Sequence, residues 1–435
     1  MAIQTSSPSR AQMVSEGVPF SNDLMTAIKK KFNHVDCDRH FGNRLFFDNA
    51  GGSFRLKSAN EAFAGIDANP DCPGHSNQMA QYLAKVRTEG IKDLKIILNA
   101  EEGALFTGLT ASEAMFDLVR AVAENTKGGN MVTTVLEHPS VYDSMTFYAG
   151  RLGKELRVAK SNPETGGVDS EEILKLIDKD TCLLNVMYAS NISGTVHDIE
   201  TIVRQARTIN PEIYILVDAV QHAPHGLIDL KKTPVDGITF APYKFFGCRG
   251  IGIAWLSGRA ARLPHHKELC FEADHWDLGS PTPGHFAALT EIVNYVCWIG
   301  GNYIQSVDRR ELFAAGMTQI ALHERALMSA MYNGMGEVEG LRNIDNIELV
   351  LDCKDLTIRD LIVAIGFKNL GINQAVSEYE KRGVIVFERV TSSPFSKRML
   401  ESFNMTGAIR VSPLHCNSLA DIKKFLLVTR ELAKL

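Results

Sequence analysis

The sequence has no long apolar run, no closely paired cysteines and no large excess of charge of either sign, and each absence removes a class of function. Over 435 residues, 46 Lys and Arg stand against 51 Asp and Glu, a formal charge of -5 with a pI near 6.2. This balance gives no footing for nucleic acid or an anionic membrane surface as partner. Residues 1–15 are polar and lack an apolar segment of the signal-peptide kind. The most apolar window, Ala287 to Gly300, carries Glu291 and Asn294 and is too short and too polar to span a bilayer. The eight cysteines, at positions 37, 72, 182, 248, 270, 297, 353 and 416, contain no CxxC pair. Scattered thiols in a long chain point to a reducing cytoplasm and not to a secreted disulfide framework. No internal repeat, low-complexity tract or metal-ligand constellation is present, so no metal is expected.

What the chain does have is core-forming capacity. A hydrophobic fraction of 45% with 22% charged residues suits a large globular protein of two or three domains. From Met131 onward the pattern alternates. Strands are expected at 131–136, 156–159, 183–187 and 213–217, with helices at 140–150, 170–177 and 199–208 between them. Such alternation with nearly continuous apolar strands implies a mostly parallel sheet covered on both faces, and ligands of such sheets gather at the carboxyl ends of the strands. Downstream, helices are expected at 286–299 and 309–332. Strands near 347–351, 384–387 and 409–411 then alternate with helices near 358–365 and 419–433. The division this implies is an N-terminal arm and helix over 1–45 that packs with the small domain, a large domain over 46–305, and a smaller α+β domain over 306–435.

The residues just past the strand ends are polar: Glu137 and His138, Ser190 and Asn191, Asp218 and Gln221. An aspartate after Ile-Leu-Val is equally at home as a turn cap, and a lone histidine as an ordinary hydrogen-bonded residue. Their shared edge is what singles them out. The strand 237–240 then delivers Lys244 into a turn, and an apolar strand, 251–256, leaves it. An amine at the mouth of an apolar core loses affinity for its proton and can condense with an aldehyde, although a turn lysine can also simply be solvated. Upstream, Leu105 to Val122 has helical spacing, with Thr110-Ala111-Ser112-Glu113 as a capping box. A helix start of this kind is a natural seat for a phosphate.

In order, Phe47-Asp48-Asn49-Ala50, Thr110-Ala111-Ser112-Glu113-Ala114, Glu137-His138, Ser190-Asn191, Asp218-Ala219-Val220-Gln221, Tyr243-Lys244-Phe245-Phe246-Gly247 and Gly279-Ser280-Pro281-Thr282 resemble the motifs of the class V aminotransferase family, in its cysteine desulfurase-like branch. The resemblance implies the fold-type-I α/β architecture and pyridoxal 5'-phosphate as cofactor. It also implies an amino-acid substrate and a homodimer whose partner subunit contributes to the site. By this resemblance Lys244 would form the Schiff base and shuttle the substrate α-proton. Asp218 would hold the pyridine nitrogen, Gln221 and Asn191 the ring hydroxyl, and His138 would stack on the ring. Ala111 and Ser112 would take the phosphate, Ser280 would reach the partner's phosphate, and Arg410 would take the substrate carboxylate.

The departures from the family pattern bear on function. Desulfurases carry a mobile cysteine shortly before the carboxylate-binding arginine, whereas Arg389 to Ser396 here contains none. Ala241 and Tyr243 stand where a serine and a histidine are common. The expected activity is therefore β-elimination, including carbon–sulfur bond lysis, or transamination. Cysteine desulfuration using Cys416 or Cys248 is the alternative, and a non-catalytic scaffold the alternative of another class.

Overall fold

The computed structural model describes residues 14–70 and 74–435. Most of the expected N-terminal arm, and Cys72, lie outside the described residues. Seven strands, β1 (Ala104–Gly108), β2 (Asn130–Thr134), β3 (Glu155–Ala159), β4 (Thr181–Met187), β5 (Tyr214–Asp218), β6 (Gly237–Phe240) and β7 (Gly252–Leu256), form one sheet in the order β1-β7-β6-β5-β4-β2-β3. Strand β7 runs antiparallel to both neighbours, and all other pairings are parallel. Every residue of β2, β4, β6 and β7 is buried. That is why these segments read as mostly apolar runs and not as alternating ones, their few polar residues, such as Asn130 and Asn185, being buried too.

Helices cover the sheet. The first, α1 (Asn22–Lys31), sends Leu24, Met25 and Ile28 into the main core, while its Lys29 Nζ lies 2.9 Å from Asp421 Oδ2 near the C-terminus. Further along come α2 (Gln78–Leu98), α3 (Ala111–Asn125), α4 (Pro139–Leu152), α5 (Ile199–Ile209), α6 (Pro283–Gly300) and α7 (Arg309–Asn333). A second, four-stranded sheet is built from β8 (Ile347–Val350), β9 (Val363–Phe367), β10 (Phe387–Val390) and β11 (Gly407–Val411) in the order β8-β9-β11-β10, antiparallel throughout. The C-terminal helix α9 (Leu419–Leu432) follows α8 (Lys397–Ser402), and Ile422, Phe425 and Leu426 of α9 share a core with this sheet.

Two expectations need correction. The helix expected near 358–365 is instead a single 3-10 turn, Leu356–Ile358, followed by β9. β9 lies between two partner strands with all five residues buried, and the run Val363-Ala364-Ile365 satisfies a strand at least as well as a helix once both faces are covered. The helical spacing seen from Leu105 likewise resolves into β1 and then α3, with Thr110 as N-cap. The capping box there is only half formed. Thr110 Oγ1 accepts from Glu113 N at 3.1 Å, but Glu113 Oε2 accepts from Leu109 N at 2.7 Å, one residue earlier than the reciprocal bond requires.

The small sheet is tied back to the chain start. Residues 45–46 pair in parallel with 384–385, and Phe47 O accepts from Ser412 N at 2.7 Å. This lays Asp48 beside the end of β11, where Arg410 projects.

Candidate active site

Strands β2, β4, β5 and β6 run parallel, so the residues after them emerge on one edge. His138, Asn191, Asp218, Gln221 and Lys244 line a single cavity there. Ala111 and Ser112 close it from the start of α3.

The lysine turn is held under strain. Pro242–Lys244 form a 3-10 turn, and Phe246, fully buried, sits at φ 65, a left-handed conformation that bulky residues rarely adopt. Its cost is met by neighbours: Phe246 N donates to Ser53 Oγ at 3.1 Å, and Phe246 O accepts from Leu56 N at 2.9 Å. Arg55 clamps the turn by donating to Tyr243 O at 2.7 Å. Held this way, Lys244 Nζ lies 3.5 Å from Gln221 Oε1, the outer limit of a hydrogen bond, and makes no ion pair among the described residues. Burial, reinforced by Arg410 and opposed by Asp218, lowers its amine to about 8. The amine is therefore neutral in a sizeable fraction of molecules near physiological pH.

The acids and the imidazole are tuned in the complementary sense. Asp218, at the end of β5, is buried, and burial raises its carboxyl while the Val220 N–H, 2.9 Å from Oδ1, and the charge of Lys244 hold it down. His138 caps α4: its Nδ1 accepts from Ser140 N at 3.2 Å and lies 2.7 Å from Ser140 Oγ. Burial, with Lys244, Arg389 and Arg398 nearby, brings its imidazole down to about 4, so the ring is neutral. Glu137 is fully buried, and burial lifts it to about 8. Its Oε1 accepts from Thr134 Oγ1 at 2.7 Å and Met187 N at 3.0 Å, while Oε2 has no partner. Asn191 Oδ1 is likewise buried without one, on a residue that lines the cavity.

The start of α3 presents the N–H groups of Ala111 and Ser112. Gly252 of β7 packs beneath them so tightly that an added Cβ would stand 2.1 Å from Ala111 N. Only glycine lets the strand and the helix start approach this closely. Tyr243, where a histidine is common in the resembling family, lies beneath the Arg249 guanidinium at 4.1 Å, and both line the cavity.

Arg410 donates to Asp48 Oδ1 at 2.6 Å and to Asn191 O at 3.3 Å, and it raises the electrostatic potential at Lys244 without lining the same cavity. Ser280 is set apart. It is exposed and lines a neighbouring cleft with Thr107, Trp276 and His285. Cys416 is fully buried against Tyr295 and Glu324, and burial pushes its thiol well above the usual range. Cys248 is half-buried, its Sγ 3.5 Å from Asn60 Oδ1, and its thiol is also raised by burial.

Sequence reasoning missed Arg389 and Arg249. Arg389 carries no motif, and its place near the site follows only from its pairing with β11. Arg249 trails the lysine turn and is exposed as expected there, and only the fold shows that it also lines the cavity over Tyr243.

The aminotransferase class-V family profile matches residues 46–425. The chain belongs to the class V aminotransferase family. As a member it is a pyridoxal-phosphate-dependent enzyme. A probable cysteine desulfurase of Borreliella burgdorferi is 25% identical over 93% of this chain and 97% of its own length. A second, from Streptomyces coelicolor, is 28% identical over 73% of this chain and 78% of its own. Among solved structures, the apo cysteine desulfurase of Thermococcus onnurineus superposes with a TM-score of 0.76 at 19% identity, covering 90% of this chain and 95% of that one. A cysteine desulfurase of Escherichia coli gives 0.76 at 16% identity, covering 96% and 99%. At such identities these structures speak to the class V fold. No helix among the described residues is long and apolar enough to cross a membrane.

Proposed function

We propose that the protein holds pyridoxal 5'-phosphate at Lys244 and acts on an amino acid at its α- and β-carbons, expelling a β-substituent or transferring the amino group. The observation that carries this reading is the meeting of Lys244, Asp218 and Gln221 in one cavity, with the amine lowered to about 8. Setting a partly buried amine beside a buried carboxylate and a buried amide is costly to a fold that has no use for them, which speaks against a bare scaffold.

The donor set fits the cofactor. Ala111 and Ser112 offer backbone N–H groups to a phosphate at a helix start. Asp218 offers a buried carboxylate to a protonated ring nitrogen, and the neutral ring of His138 offers a flat face. Gln221 and Asn191, both lining the cavity, would serve the ring hydroxyl. When bound, the group supplies an electron sink for the substrate α-carbon. Lys244 Nζ takes the α-proton, which its lowered affinity permits near neutral pH. Arg410 orients the substrate carboxylate with the part of its planar fork that Asp48 leaves free. In elimination the electron pair of the broken Cβ–substituent bond leaves with the substituent. Water then releases ammonia and a keto acid.

Desulfuration is the second reading, favoured by the names of the relatives. Against it stand the absence of cysteine between Arg389 and Ser396 and the state of the two candidates. One is sealed in the core and the other has its thiol raised by burial. The exposed loop bearing Ser280, outside the Lys244 cavity of its own chain, supports a homodimer in which that loop serves the partner's site.

Product analysis separates the readings. Ammonia and a keto acid formed without a second substrate indicate elimination, and a keto acid formed only with an added amino acceptor indicates transamination. Alanine with protein-bound sulfur would establish desulfuration instead.

A further inference from the structure

Arg389 has no carboxylate partner, although it is buried to 5% exposure. Its hydrogen bonds run to Phe395 O at 3.2 Å and to the Met399 sulfur at 3.7 Å, and its Nε has no partner at all. A guanidinium removed from water without an anion beside it is strongly unfavourable. The arrangement therefore asks what anion offsets it.

Register shows where such an anion would sit. In the β10–β11 pair, Phe387 lies opposite Arg410 and Arg389 opposite Ala408. Residues two apart on a strand share a face, so Arg389 and Arg410 project from the same side of the small sheet as diagonal neighbours. Both are nearly inaccessible, at 5% and 3% exposure, and the Nε of each lacks a partner. Neither lines the Lys244 cavity, but Arg410 donates at 3.3 Å to the backbone of Asn191 in its wall, and the charge of both arginines acts on Lys244. The two guanidiniums thus stand side by side, and among the described residues the one carboxylate ion-paired to either is Asp48, bonded to Arg410. With Arg410 assigned to the substrate α-carboxylate as proposed above, Arg389 is left with no anion beside it.

We infer that the substrate is an amino acid whose side chain ends in a carboxylate, and that Arg389 receives that second anion while Arg410 holds the first. The inference rests on the amino-acid chemistry proposed above and narrows its substrate class. Arg389 is a specificity residue in this scheme. The acidic group it binds lies beyond the carbon at which the reaction occurs, so it selects the substrate without touching the reacting atoms.

The test is calorimetric and needs no turnover. Holoenzyme showing its cofactor's visible absorbance is titrated with succinate and glutarate, and with butyrate as a monoanion of comparable length. One of the dianions should bind roughly tenfold to a hundredfold more tightly than butyrate, the range a charge-assisted pair provides. Arg389→Gln should reduce dianion affinity to about that of butyrate, and Arg389→Lys should keep part of the preference. Equal affinity of all three ligands for the coloured wild type would overturn the inference while leaving the cofactor reading intact. A purified protein that stays colourless with added pyridoxal phosphate overturns the cofactor reading, and the inference falls with it.

Discussion

Glu137 is a buried carboxyl one residue before His138, with Oε2 unpartnered. Its carboxyl is lifted to about 8 chiefly by burial and further by Asp218, so near neutral pH it is largely protonated. The folded state then binds more protons than the unfolded chain between 4.5 and about 8, and the stability this contributes is lost as pH rises through that window. Glu137→Gln keeps the shape without the titration. Its melting temperature relative to wild type should rise as pH is raised across the window, and a difference independent of pH would show that Glu137 is not protonated in the folded state. Asp218→Asn removes the buried carboxylate while leaving an amide that can still accept from Val220 N. It should weaken retention of the cofactor and lower turnover by orders of magnitude, with little change in the far-ultraviolet circular dichroism. Lys244, Asp218, Gln221, Asn191 and His138 were legible from sequence because each lies at or within about a turn's length of the end of a buried strand, and parallel strands bring such positions to one edge. Arg389 was not legible, because its meeting with Arg410 depends on the register of two strands whose pairing no local pattern encodes.

At the scale of elements, two attachments hold the cavity's walls. The half-formed box at Thr110 fixes the start of α3 over Gly252. Thr110→Ala should cost ~1 kcal/mol of stability by loss of the cap and should also loosen phosphate binding, read as faster release of cofactor on dilution. Arg398 of α8 donates to Glu137 O at 2.6 Å and also bonds Val135 O, with its guanidinium 3.8 Å over the Tyr142 ring. This staples the segment after Arg389 to the large sheet, the segment that in desulfurases carries a mobile cysteine. Arg398→Met should raise hydrogen exchange selectively across residues 391–402 and reduce turnover, and unchanged exchange there would show that the staple is not what orders it. The βα alternation was readable because buried parallel strands and amphipathic helices have different periods. Helix α2 escaped notice, since its buried residues Leu83, Leu94, Ile97 and Leu98 are spread among many polar ones. Strand β9 was misread because a short apolar run fits either period until its neighbours are known.

At the scale of the molecule, the fold brings a small antiparallel sheet carrying two arginines against the edge of a large sheet carrying the lysine. Ser280 stays outside its own chain's cavity, so sedimentation at twice the chain mass is expected. A strictly monomeric protein with full activity would remove the partner's role at the site. The central claim is that Lys244 binds the cofactor through a lowered-affinity amine, and the most direct measurement is the visible absorbance of the purified protein, wild type against Lys244→Ala, as a panel of amino acids is added. The account predicts a cofactor band that depends on Lys244 and shifts or bleaches with particular amino acids, above all those with acidic side chains. A wild type that stays colourless after incubation with pyridoxal phosphate, or a band unchanged in Lys244→Ala, would contradict it.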